Sequence, residues 1–300
     1  MADTGGVKYS ARMTPVKKLG LILCAMIALD GCGAGSSLES RHETARGIAR
    51  PAMMDERVVA AGIFNLTLWV RLNKPDAPAH VYIEGDGLAW LSKHLKSMNP
   101  TPPDPMTLRL AALDSADNVI YMARPCQYTG WHKPDACPDL YWTNGRTAPE
   151  VIHAYQQALD NMKARATGFH LIGYSGGAAV AALVAAGRND VLSLRTVAGN
   201  LDYATFSHLH KISPLDASLD PIRIAASIAH IPQFHFIGEQ DKVVPAAIFD
   251  SWKRASGITA CVQSAIVADS THEKGWIEKW QDLLFSPLPP CGKGAQERAP

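Results

Sequence analysis

The fold is decided by Gly168-Phe169-His170-Leu171-Ile172-Gly173-Tyr174-Ser175-Gly176-Gly177, followed by Ala178-Ala179-Val180-Ala181-Ala182-Leu183-Val184-Ala185-Ala186. Residues 168–172 form a short apolar run of strand type. Residues 178–186 are apolar on every side, which only a buried helix can be. Between them lies a G-x-S-x-G turn. Glycines flank Ser175 because the turn is too tight for side chains and because strand and helix approach closely there. Alone, the motif would read as a plain Gly-Ser turn. With a strand before it and a helix after it, it has the context of a nucleophile elbow. Such a turn holds the serine hydroxyl exposed at the carboxyl end of a strand, beside a helix N-terminus that favours negative charge.

Outward from the elbow, strands and helices alternate. Upstream, 57–72 reads as one or two strands and 80–83 as the next, ending in Glu84-Gly85-Asp86-Gly87. Met106–Leu113 is helical behind Pro105, with Asp104 as its N-cap. Asn118–Met122 is a strand, and 149–166 an amphipathic helix. Downstream, 191–198, 232–237 and 261–267 are strands, while Ala246–Ala255 and 276–284 are helices. This alternation implies right-handed crossovers and a mostly parallel, doubly wound sheet covered on both faces. Working residues then gather at the carboxyl ends of the strands.

With 300 residues, 47% apolar and 19% charged, the chain can bury a sizeable core. Its net charge of +1, without a basic stripe, argues against nucleic acid as a partner. The first 32 residues read separately. Lys17 and Lys18 precede the apolar run 19–29, a secretory signal too short to span a membrane. The start is Met1 or Met13. Leu29-Asp30-Gly31-Cys32 resembles the lipobox of bacterial lipoproteins, which implies cleavage before Cys32 and lipid on its thiol. Asp30 departs from the small residue usual there, and plain secretion is the runner-up. Residues 33–55 read as a tether, with a surface helix at 39–48 as the alternative. A globular body then covers 56–291, and the tail 292–300 is frayed. The body keeps Cys126, Cys137, Cys261 and Cys291, which suits two disulfides in an exported chain. Of three possible pairings, locality favours Cys126–Cys137 and Cys261–Cys291. No CxxC pair, histidine cluster or Gly-rich phosphate loop points to a metal or cofactor.

A serine nucleophile needs a base and an orienting acid. The elbow, then Gly238-Glu239-Gln240-Asp241-Lys242-Val243-Val244-Pro245 after a strand, then the late His272, together resemble the α/β-hydrolase fold over roughly 57–285. No particular subfamily stands out. The resemblance implies Ser175 as nucleophile, Asp241 as acid and His272 as base. Asp202 and then Glu239 are the alternative acids. His208, His210, His230 and His235 are the other downstream histidines, and none sits in the family's place for the base. The resemblance also implies an oxyanion hole made by the backbone N–H groups of Gly176 and Asp86. The family usually has His-Gly where this chain has Glu84-Gly85. The Asp86 side chain must then point away or pair with a base such as Arg124.

Tyr128, Trp131, His132, Tyr141 and Trp142 lie in the disulfide-closed insertion between 122 and 149, where they either wall a pocket or pack the insertion itself. Residues 202–231 are too few for a full cap, which suits small or moderately polar esters. The expectation is an exported serine hydrolase, a carboxylesterase on small-molecule esters or thioesters. It would be held to the membrane by lipid on Cys32 and face the periplasm or cell exterior. Its rivals are a thioesterase or peptidase with the same triad, and a non-catalytic binding protein on the same scaffold. The oligomeric state is open.

Overall fold

A parallel sheet is buried on both faces, so its chain must lay helices on both sides. The computed structural model describes residues 1–2, 37–129, 137–257 and 259–291. Residues 3–36 with Cys32, 130–136 with Trp131 and His132, 258, and 292–300 lie outside the described residues. The order begins α1 (Leu38–Ala49), β1 (Asp55–Ala61), β2 (Phe64–Leu72), β3 (Ala79–Ile83), β4 (Trp90–Ser92), β5 (Leu95–Lys96), α2 (Met106–Leu113) and β6 (Asn118–Met122). It continues α3 (Pro149–Asp160), β7 (Phe169–Tyr174), α4 (Gly176–Ala186), β8 (Val191–Val197), α5 (Tyr203–His210), β9 (Gln233–Gly238), α6 (Ala246–Ala255), β10 (Val262–Val267) and α7 (Trp280–Leu284).

Eight strands form one sheet in the order β1-β2-β6-β3-β7-β8-β9-β10, while β4 and β5 make a separate hairpin. β2 pairs antiparallel with β1 and β6, and every other pair in the large sheet is parallel. From β3 the chain crosses to β6 on one side and then returns to β7 on the other. The crevice outside the carboxyl ends of β3 and β7 is therefore a switch point of the topology. The register pairs Ile83 with Gly173, which brings Glu84–Gly87 alongside the elbow.

Alternation along each strand divides the core in two. In β3, Val81 and Ile83 face the layer containing α3, α4 and α6, and Tyr82 faces the opposite layer with Trp69, Tyr121, Phe236 and Trp280. α4 packs on β7, β8, β3 and α3. Gly176 to Ala185 are all buried, as a helix without a polar face requires. Its approach is set by two glycines. A Cβ on Gly173 would overlap Ala178, and one on Gly177 would overlap the carbonyl oxygens of Ile83 and Glu84. Ser175 between them has φ 52° and ψ −120°, a strained backbone that costs ~1–3 kcal/mol.

The stretch read as a tether is corrected from residue 37 onward. Ser37 caps α1, and Ala45 and Ala49 are fully buried. The Arg41 guanidinium donates to the carbonyls of Asn99 (3.1 Å) and Thr101 (2.7 Å). The folded body therefore already includes Ser37 and α1 rather than beginning at 56, and β1 starts at Asp55. The helix buries mostly alanine and one paired arginine, which leaves little apolar periodicity to read. Asp104 does not cap α2. Pro105 holds that position, and Asp104 pairs with Arg109 instead (2.5 Å). The cysteines pair as Cys126–Cys137 and Cys261–Cys291, with Cα atoms 5.7 and 5.6 Å apart. Among the described residues, no helix is long and apolar enough to cross a membrane.

Gly177→Ala is expected to lower stability by ~1–3 kcal/mol, because the added methyl meets backbone rather than a movable side chain. Urea unfolding measures this; an unchanged midpoint would mean that α4 can back away from β3.

Candidate active site

Loops at the carboxyl ends of β7, β9 and β10 converge at the switch point. Ser175 follows β7, Asp241 follows β9, and His272 lies in the loop after β10. His272 Nε2 is 3.0 Å from Ser175 Oγ, and His272 Nδ1 is 2.9 Å from Asp241 Oδ2. An ionised Asp241 can only accept, so it fixes the proton on Nδ1 and turns the Nε2 lone pair toward the serine. The Asp241 side chain is wholly buried. Its other oxygen accepts the backbone N–H groups of Val243 and Val244, both at 2.8 Å. One carboxylate thus ties the turn before α6 and orients the imidazole.

The imidazole is also held through its own backbone. The His272 carbonyl accepts from Tyr174 OH (3.0 Å) and Trp276 Nε1 (2.9 Å). The Tyr174 ring lies 5.4 Å from the imidazole. The backbone of Ser175 is clamped as well: its N–H donates to Val197 O, and its carbonyl accepts from Asn200 N–H, each at 3.0 Å.

The rival acids do other work. Asp202 caps α5, accepting from Thr205 N–H (2.8 Å), Thr205 Oγ1 (2.7 Å) and Ser251 Oγ (2.5 Å). Glu239 accepts the Asp269 N–H (3.0 Å). Among the other histidines, His210 Nε2 lies 2.7 Å from Val243 O. His235 is buried in β9 between Thr196 Oγ1 (2.8 Å) and Gln233 Oε1 (3.1 Å).

On the opposite side of the serine, the loop 84–87 is held by groups scattered through the chain. Glu84 is buried and accepts from Gly85 N–H (2.9 Å), Thr107 Oγ1 (2.8 Å) and Tyr121 OH (3.1 Å). Burial raises its pKa, and these hydrogen bonds only partly offset the rise. Gln127 Nε2 donates to Gly85 O (3.2 Å). The Asp86 carboxylate meets two guanidiniums, Arg124 at 3.1 Å and Arg146 at 2.5 Å. Burial opposes ionisation of Asp86, but Arg146 and Arg124 together outweigh it and hold the carboxyl below its usual range. A methyl on Gly176 would overlap this carboxylate, so Asp86 lies directly against the first residue of α4. Among the described residues no hydrogen bond takes the Asp86 backbone N–H. Gly176, opening α4, has an N–H without an intrahelical acceptor.

Arg124 is the base expected opposite Asp86, whereas Arg146, Gln127 and Trp276 carry no sequence signal. Arg146 is 60 residues from its partner, and nothing local in its sequence marks the pairing. The described aromatics of the insertion pack against the body. Tyr128 meets Trp69 edge-on (5.0 Å), and Tyr141 meets Phe64 in the same way (4.7 Å). Trp142 Nε1 donates to Ser97 O (3.1 Å). Tyr141 and Trp142 also line a small crevice beside Asp86 and Arg124.

No family model matches the sequence, and no curated protein matches it. Solved structures do. An esterase of Pyrococcus furiosus superposes with a TM-score of 0.55 at 14% identity, covering 78% of this chain and 92% of that one. Est1E from Butyrivibrio proteoclasticus gives 0.51 at 12%, covering 76% and 95%. A puromycin hydrolase gives 0.53 at 13%, covering 76% of this chain, which spans only 37% of that one. At such identities the likeness is one of fold, and the chain has the α/β-hydrolase fold.

Burial, reinforced by Lys253, pushes the His235 imidazole down to about 3. The unfolded chain binds that proton near pH 6.5. Between the two values the unfolded state holds more protons, so stability falls as pH is lowered from about 6.5 toward about 3. This one group contributes up to ~1.4 kcal/mol per pH unit. His235→Gln should flatten the slope across that window, as urea unfolding at a series of pH values would show.

Proposed function

We propose that the chain is a serine hydrolase acting on carboxylic esters, exported and anchored by lipid on Cys32. The observation that carries the catalytic part is the unbroken line Ser175 Oγ–His272–Asp241, at 3.0 and 2.9 Å, with its serine on a strained elbow. Ser175 Oγ attacks the ester carbonyl while His272 Nε2 takes its proton. Asp241 stabilises the imidazolium that forms. Negative charge develops on the carbonyl oxygen and is met by the N–H groups of Gly176 and Asp86; one such donor is worth ~2.7–4 kcal/mol. His272 then protonates the departing alcohol, and water admitted to the same position resolves the acyl-enzyme.

An acidic side chain beside a developing oxyanion would repel it. Arg124 and Arg146 outnumber the Asp86 carboxylate, so the local charge favours the tetrahedral intermediate. Small or moderately polar esters, rather than long-chain lipids, are supported by the short stretch between β8 and β9. It holds only α5 and a 3-10 turn at Pro221–Ile224, not a full cap. Thioesters and amides would meet the same groups, and a panel of the three ranks them. Export rests on the apolar run 19–29 and the Gly31-Cys32 junction. Fatty-acid labelling and the mature N-terminal residue test it.

Ser175→Ala is expected to cut kcat/KM on a short activated ester by at least ~10³-fold with an unchanged circular dichroism spectrum. Retained hydrolysis would sink the assignment. Asp241→Asn should lower kcat by up to ~10⁴-fold by favouring the wrong tautomer. A fluorophosphonate should label the native protein at Ser175 and neither variant at a comparable rate; an unlabelled native serine would favour the binding-protein reading.

A further inference from the structure

Among the described residues, the hairpin formed by β4 and β5 has no covering layer. Every residue of both strands is exposed, although a two-stranded ribbon is marginal by itself in water. Trp90, Leu91, Leu95 and Met98 are 41, 54, 57 and 72% exposed. Single exposed apolar side chains need no explanation, but these four share one short excursion, with Lys93 and His94 at its turn and Lys96 on β5 opposite Trp90. Lys96 pairs with Asp139, both half-exposed. The excursion is closed at its base. Leu88 N–H donates to Pro100 O (3.1 Å) and Ser97 N–H to Ala89 O (3.0 Å). Trp142 Nε1 braces it from the side through Ser97 O (3.1 Å). It is a held projection, and it starts immediately after the loop 84–87.

We infer that this hairpin docks on an anionic phospholipid bilayer and seats the active edge at the lipid surface. Tryptophan and leucine beside lysine are the side chains that settle at the headgroup level, the ring and stem in the apolar boundary and the charge in the phosphate layer. The chain outside the described residues supplies the second reason. α1 begins at Leu38, and one turn later Arg41 is bonded to the carbonyls of Asn99 and Thr101, directly beyond Met98. The point at which the body meets its leader is therefore stitched to the foot of the hairpin. From Cys32 to Ser37 the chain can span at most ~18 Å, so lipid on Cys32 would keep the hairpin at the membrane. The inference rests on the anchoring reading for that tether, and it is independent of the esterase reading.

The test uses the full chain and phosphatidylcholine vesicles, with and without phosphatidylglycerol, made from brominated lipids that quench tryptophan. The Trp90 contribution is the difference between the native protein and Trp90→Phe. The expected result is stronger quenching of the native protein, dependent on phosphatidylglycerol. Affinity should weaken about five-fold for Lys93→Glu, the lysine at the turn. Leu91→Asp combined with Leu95→Asp should remove the Trp90 component. Ile266→Asp, at an equally exposed position on the far edge strand, should retain it. All these variants should hydrolyse a soluble ester normally without vesicles, which separates a failure of docking from a failure of the esterase reading.

Mass spectrometry of the mature N-terminus reads the lipid separately. An unmodified chain whose Trp90 still responds to anionic vesicles supports the hairpin. An acylated chain in which the native protein and Trp90→Phe are quenched alike overturns it. A Trp90 signal that instead follows protein concentration without lipid, with a dimer in sedimentation, assigns the face to a second copy and overturns it too.

Discussion

The active edge depends on how closely α4 approaches the ends of β3 and β7. Gly173 and Gly177 remove the two side chains that would hold them apart, and the helix brings no polar face that would resist burial. The approach bends the chain sharply at Ser175, and the strain is held from the neighbouring strand: the end of β8 accepts the Ser175 N–H, and Asn200 beyond it donates back to the Ser175 carbonyl. Because the sheet is covered on both faces, the helix cannot relax outward without opening the layer that contains α3 and α6. A strained residue persists where its surroundings over-determine it, and here those surroundings are backbone groups on three strands.

Three carboxylates lie within this edge, and each is treated differently. Glu84 is surrounded by neutral donors and is pushed toward protonation by burial. Asp86 faces two guanidiniums and is held ionised against the same burial. Asp241 spends one oxygen on backbone amides and offers the other to His272. Charge at the elbow is thus fixed by partners rather than by solvent, the arrangement expected where a developing anion has to be met without reorganisation.

The insertion between β6 and α3 acts as a buttress for the loop 84–87. Arg124 and Gln127 flank Cys126 of the Cys126–Cys137 bridge, and both reach that loop, as does Arg146 at the insertion's far end. Cys126 and Tyr128 have positive φ values of 73° and 63°. The segment is therefore bent to a shape that ordinary side chains rarely adopt, and the bridge and the Tyr128–Trp69 contact hold it there.

Local chemistry made much of this molecule legible from sequence. The elbow with Ser175 and the alternation of strands with helices follow from periodicity and steric need within a few residues, while Asp241 and His272 were implied by the resemblance to the α/β-hydrolase fold. α1 appeared only as an alternative to a tether, a surface helix at 39–48, because a helix that buries alanine and a bonded arginine has almost no amphipathic stripe. The resemblance ranked Asp241 ahead of Asp202 and Glu239, although all three follow strands, and the contact with His272 singles it out. Arg146 and Trp276 lay beyond the sequence. These contacts depend on strand order and on the loops that one edge of a sheet brings together, across separations of 31 residues for His272–Asp241 and 97 for His272–Ser175. By itself, then, the sequence determined a serine on a strained turn in a doubly wound sheet, because tight turns and buried elements constrain residue type locally. Only the tertiary structure set the Asp241 carboxylate against the imidazole and brought Arg146 beside Arg124 on Asp86, because those contacts arise from the order of the strands.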